Sequence, residues 1–167
     1  MAVIAIAALL ISTATWLSLA FSGSSLSLMV SKDISRFWYT NPTGHPSGLR
    51  ISLIISECFH FRLRLPKVLW FVLTDDDTII NADNLVAVLS KYDASEMVYV
   101  GSPSESHSAN TYFSHSMAFG GGGIAISYPL EKALSEIQDE CLERYPKLYG
   151  SDDRLHACIT ELGVPFN

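Results

Sequence analysis

The chain has 167 residues, 49% of them hydrophobic and 17% charged, enough for one domain with a real core and too apolar for a disordered segment. Its net charge of -6 argues against nucleic-acid binding, which needs basic stripes. The charge is uneven: residues 1–64 hold five Lys/Arg and two Asp/Glu, residues 65–167 six and fifteen, so the acidic second part is the one suited to a cation.

Ala2 to Phe21 carry no charge. Twenty apolar-biased residues can span a bilayer as an anchor. The same run also fits the apolar region of a signal peptide, although no Lys or Arg precedes it, or a mis-assigned start. The first basic residues, Lys32 and Arg36, follow it. Taken alone, the positive-inside rule would then leave the rest of the chain cytoplasmic. Ser22 to Ser31 is Ser-rich and reads as a linker. The expected organisation is residues 1–30 as a hydrophobic segment with its linker, and residues 31–167 as the domain.

Thr40 to Gly48 is turn-rich, and a helix is expected from about Ser47 to Phe61 with Leu49, Leu53, Ile54 and Cys58 on one face. Trp70-Phe71-Val72-Leu73 reads as a buried strand that runs directly into Thr74-Asp75-Asp76-Asp77. Asn81 or Asp83 can cap a second helix with Leu85, Val86 and Leu89 inward. Met97 to Gly101 is a second strand, and Ser102 to His115 a long polar loop of the kind that is usually functional or mobile. Gly120 to Gly123 precede an apolar stretch from Ile124, and Pro129 suits the first turn of a helix reaching about Leu142. Asp152-Asp153 opens a last helix, ended near Leu162 by Gly163. Helices alternating with short strands indicate an α/β fold.

Three adjacent carboxylates at the end of a strand repel one another, and a hard divalent cation such as Mn²⁺ or Mg²⁺ relieves that repulsion. A solvated acidic turn is the alternative. The four glycines permit either a tight bend or close approach of another group to the backbone. Asp152-Asp153 is a second acidic pair, which helix capping alone could explain. There is no Gly-Lys-Ser/Thr phosphate loop, and a phosphatase-type D-x-D-x-T is matched at Asp75 and Asp77 but not at position 79, which is Ile. Among three cysteines, Cys141 and Cys158 flank the second acidic pair and are the best placed to bond; three buried thiols are the alternative.

The order of these motifs, strand-Asp75-Asp76-Asp77, Tyr99-Val100-Gly101-Ser102, Phe119 with Gly120–Gly123, then Ser151-Asp152-Asp153, resembles the Fringe-like glycosyltransferases, closest to their plant relatives. The resemblance runs from about Ser35 to Phe166. It implies a partial GT-A fold, truncated at both ends, and a lumenal domain held at the Golgi membrane. It implies inverting transfer of a hexose or N-acetylhexosamine from a UDP-sugar to a glycan acceptor, with Mn²⁺ or Mg²⁺. Asp75 to Asp77 look like the DxD-type motif, with Asp77 the metal ligand and Asp75 supporting metal and ribose. Asp76 and Gly120, Gly121, Gly122 and Gly123 would adjoin the donor. Asp152 would be the general base, with Asp153 the fallback. The base should face the metal across a gap wide enough for a sugar. Two other readings stay open on the residues alone: an inactive remnant serving as a binding domain, and a metal-dependent phosphohydrolase.

Overall fold

The computed structural model describes residues 3–10, 15–20, 26–62, 68–75 and 77–167. Its strands are β1 (Val3–Leu10), β2 (Thr15–Ala20), β3 (Leu26–Val30), β4 (Val68–Thr74), β5 (Tyr99–Gly101) and β6 (Ile124–Ser127). Its α-helices are α1 (Ser47–Arg62), α2 (Ala82–Leu89), α3 (His107–Tyr112), α4 (Tyr128–Arg144) and α5 (Ser151–Glu161). The six strands form one mixed sheet in the order β3-β2-β1-β4-β6-β5. The α/β expectation holds.

Strand β4 is the hinge of this arrangement. It pairs parallel with β1 and antiparallel with β6, placing Leu73 opposite Ile124. Successive side chains of a strand point to opposite faces. Phe71 and Leu73 accordingly enter the larger core, with Ile54, Ile55, Tyr99, Leu130, Leu134 and Ile159. Trp70 and Val72 enter a smaller core on the other side, with Leu89, Val98, Val100 and Ala125. Burial on both faces explains why this strand reads as a continuous apolar run.

On α1, Leu49, Leu53, Ile54 and Cys58 are all buried, as their spacing requires. Helix α4 starts with Pro129 in its first turn, where a missing N–H costs nothing. Cys141 on α4 and Cys158 on α5 form a disulfide with Cα atoms 5.8 Å apart, while Cys58 remains a buried thiol. That bond ties α5, which carries the second acidic pair, to the helix that packs under β4 and β6.

Several expectations need correction. The uncharged N-terminal run is not one helix: Val3–Leu10 and Thr15–Ala20 are antiparallel strands, and no described helix is long and apolar enough to cross a membrane. An apolar run suits a strand as well as a span, and length alone does not separate the two. The Ser-rich stretch is not all linker, because Leu26–Val30 pairs with β2. On α2, Asn81 is the cap and Leu89 is buried, but Val86 faces outward; an eight-residue helix lying against a small core buries only a narrow stripe. The polar loop after β5 contains the short helix α3, capped by Ser106.

Candidate active site

The antiparallel pairing of β4 with β6 brings the end of one strand and the start of the other to a single sheet edge. Asp75 follows β4 there, and the glycine run precedes β6. Strand β5 pairs antiparallel with β6, so Gly101 and Ser102 arrive at the same edge. Edges of this kind are where open α/β sheets bind ligands.

The glycines form a 3₁₀ turn over Gly120–Gly122, closed by Gly122 N–H to Phe119 O and Gly123 N–H to Gly120 O, both 3.0 Å. Gly123 has φ +85°, a left-handed conformation that favours glycine. Phe119 N–H donates to Ser102 O (2.8 Å), and Thr78 Oγ1 donates to Gly121 O (3.2 Å). The turn is thus pinned from β5 on one side and from the segment after Asp75 on the other.

Two distant carboxylates close on this turn. Gly120 N–H donates to Asp152 Oδ2 at 2.8 Å. A Cβ on Gly120 would lie 3.1 Å from Asp152 Oδ1 and 3.3 Å from Asp75 Oδ1. A Cβ on Gly121 would lie 3.5 Å from Asp75 Oδ2. A side chain at Gly120 would press on both acids, which would have to give by a few tenths of an ångström. The space between them is a cavity of about 20 Å³, lined by Asp75, Gly120, Ser151 and Asp152 among others, the room that one water needs; the sugar-wide gap expected between the base and the strand-end acid is not there, because both carboxylates close on the same glycine.

The acidic pair on α5 divides its labour. Asp153 accepts from Tyr149 N–H (2.7 Å), Gly150 N–H (2.9 Å) and Arg154 N–H (2.9 Å), so it serves the start of its own helix. Asp152 turns to Gly120 and to Ser151 Oγ, which donates to Oδ1 at 2.9 Å. Burial raises the Asp152 pKa above the ordinary carboxylate value; the Gly120 and Ser151 hydrogen bonds oppose that shift, and the charge of Asp153 adds to it. Such a carboxylate is a stronger base than a solvated one, which suits general-base chemistry.

Arg154 sets this geometry from below. It is fully buried and donates to the carbonyls of Leu148 and Gly150, with its guanidinium 4.9 Å from the Tyr39 ring centroid. Tyr39 Oη donates to Tyr149 O (2.9 Å), and Asn41 Nδ2 to Lys147 O (2.9 Å). The turn before α5 is therefore held by the Tyr39–Asn41 segment and by the first turn of its own helix. A lone Arg after Asp-Asp carried no signal of this in the sequence.

Of the expected site residues, the structure brings together Asp75, Gly120, Gly121 and Asp152. Gly122 and Gly123 complete the turn on its other side. Asp153 is adjacent but occupied with capping. Asp77 is exposed, and Asp76 lies outside the described residues. No group of three His, Cys, Asp or Glu poised as metal ligands occurs among the described residues. A Mg²⁺-type ion needs only one or two protein carboxylates when substrate phosphates complete its shell, and Asp75 and Asp77 are hard oxygen donors of that type.

Residues 109–167 match a family model described as "Protein of unknown function, DUF604". The chain is also 33% identical over 99 residues to a beta-1,3-glucosyltransferase of Mus musculus, and 32% identical over 99 residues to one of Homo sapiens. Each match covers 59% of this chain and 19% of the relative. This chain is similar to beta-1,3-glucosyltransferases. It spans about a fifth of the length of these relatives. The family match takes in the glycine turn, the disulfide and the Asp152–Asp153 pair.

Proposed function

We propose that the chain carries the reaction centre of an inverting glycosyltransferase with a partial GT-A fold. It transfers a hexose or N-acetylhexosamine from a UDP-sugar to a hydroxyl of a glycan acceptor. The observation that carries this reading is the meeting of Asp75 and Asp152 at Gly120. A strand-end acid and a pKa-raised helix acid converge on one glycine turn, although 77 positions separate them in the chain. The similarity to beta-1,3-glucosyltransferases supports the same chemistry.

In this reading Asp152 takes the proton of the acceptor hydroxyl. The acceptor oxygen forms its bond to the sugar C1 as the bond from C1 to the diphosphate oxygen breaks, and UDP leaves. Attack from the face opposite the leaving group inverts C1. Asp75 and Asp77, with Asp76 between them, would hold Mn²⁺ or Mg²⁺, which neutralises charge on the departing diphosphate when bound. Gly120 to Gly123 offer backbone against which the donor can lie. Asp153 keeps the helix start in place and would stand in as base only if Asp152 proved dispensable. The disulfide supports placement in an oxidising lumen, as in the Golgi. The proposal does not depend on a membrane anchor, since the apolar N-terminal run pairs as strands.

Calorimetry with UDP, with and without Mn²⁺, tests the donor half. Mn²⁺-dependent binding that weakens at least tenfold in Asp77→Ala or Asp75→Asn is the expected result. Binding indifferent to Mn²⁺ and to both substitutions would refute the metal assignment.

A further inference from the structure

A second cavity, of about 200 Å³, shares Ser151 and Asp152 with the small one, but Asp75 does not line it. Phe113, Met117, Phe119 and Tyr149 form much of its wall, with Asn110, Asp152 and Asp153 among its polar members. Phe113 and Tyr149 lie 36 positions apart, yet their ring centroids are 5.6 Å from each other at an interplanar angle of 53°. Phe113, Phe119 and Tyr149 each remain more than a third exposed. Scattered exposed apolar residues are ordinary, but three aromatic rings gathered around a half-buried carboxylate form a patch of the kind that marks a binding site. Proton removal from a hydroxyl does not by itself call for these rings.

We propose that this cavity receives one pyranose unit of the acceptor, with a C–H face against Phe113 and Tyr149 and a hydroxyl at Asp152, and that these rings set acceptor choice. The inference rests on the glycosyl-transfer reading and gives that site its acceptor side. A pyranose has a rim of hydroxyls and faces of C–H groups, and the electron-rich face of an aromatic ring attracts the latter. The volume is below the several hundred cubic ångströms of pockets for drug-sized ligands, so it fits a single sugar. Each Asp152 oxygen accepts one hydrogen bond, from Gly120 or Ser151, and a carboxylate has about four acceptor sites, so a substrate hydroxyl can still bind. The larger cavity across the glycine turn, about 330 Å³, has no acid among the described residues that line it, from Thr78 and Asn84 to Gly123. Among the described residues it offers no base.

The test uses saturation-transfer NMR on the full chain with methyl glycosides of glucose, galactose, N-acetylglucosamine and fucose as probes. Calorimetry with UDP and Mn²⁺ runs in parallel. At least one glycoside should bind. Phe113→Ala and Tyr149→Ala should each weaken it at least fivefold and leave UDP affinity within twofold, while Tyr149→Phe, which keeps the ring, retains binding. Phe113→Leu provides a variant of closer volume if Phe113→Ala fails to fold. If UDP binds but no glycoside does, or if the variants bind the glycoside like the parent chain, the acceptor assignment is overturned and the donor reading stands. If the glycoside depends on both rings while UDP does not bind, the donor reading fails and the cavity stands as a saccharide site.

Discussion

The two acidic clusters of this chain look alike in sequence and are used differently. After β4, Asp75 lies against the glycine turn while Asp77 points into solvent. At the start of α5, Asp153 is held by three backbone N–H groups while its neighbour Asp152 reaches across to Gly120. In each cluster one carboxylate joins the shared centre and another does not. In the second cluster, what separates the two is which backbone groups each side chain meets. An acid that can satisfy nearby orphan N–H groups of a helix start does so; one directed away from them needs a partner from elsewhere in the fold.

Substitutions can break this contrast. The largest effect is expected for Asp152→Asn. With the proposed base removed and the shape kept, transfer measured with a UDP-sugar and an accepted glycoside should fall by roughly 10²- to 10⁴-fold. Mn²⁺-dependent UDP binding should stay within about twofold. Near-normal turnover in this variant would move the role of base to Asp153.

Next comes the Cys141–Cys158 bond, which closes a loop of 17 residues between α4 and α5. Replacing both cysteines by serine should cost about 3 kcal/mol of stability, read from urea unfolding. A loss under about 1 kcal/mol would mean that packing alone keeps α5, and with it Asp152, in place.

Asp153→Ala sharpens the contrast from the other side. Loss of the helix-start contacts should cost about 1 kcal/mol in the same unfolding measurement, with turnover reduced less than in Asp152→Asn. A collapse of turnover with stability unchanged would contradict the capping role.

The smallest effect concerns pH. Burial holds the Asp152 carboxyl above the ordinary Asp value of about 3.9, so the acid limb of the rate profile should lie above that value. The folded chain keeps this proton to higher pH than the unfolded chain does. The contribution of Asp152 to stability therefore decreases as pH rises from about 3.9 through its folded pKa. The Ser151 hydroxyl lowers that pKa, so Ser151→Ala should move the limb to higher pH. A limb that stays in place would show that the hydroxyl does not bond Asp152 in solution.

The sequence by itself determined the local structure wherever one short-range rule dominated. Apolar continuity in Trp70–Leu73 fixed a strand buried on both faces, Asn81 and Pro129 marked helix starts, and the spacing of Leu49, Leu53, Ile54 and Cys58 fixed the buried face of α1. It also pointed to Asp75, the glycine run and Asp152, because strand-end acids and glycine clusters are locally unusual. Tertiary structure decided the rest. Whether the uncharged N-terminal run is one helix or two strands depends on the β4 edge with which β1 pairs, not on its own hydropathy. The choice between Asp152 and Asp153 depends on Gly120, 32 positions away. Phe113, Tyr149 and Arg154 carried no signal of their own, since an aromatic ring or an arginine gains its role here only from partners that folding brings close. Periodicity and capping act over a few residues of chain. A carboxylate's partner and a ring's neighbours are set by which strand ends share a sheet edge, and that is a property of the whole fold.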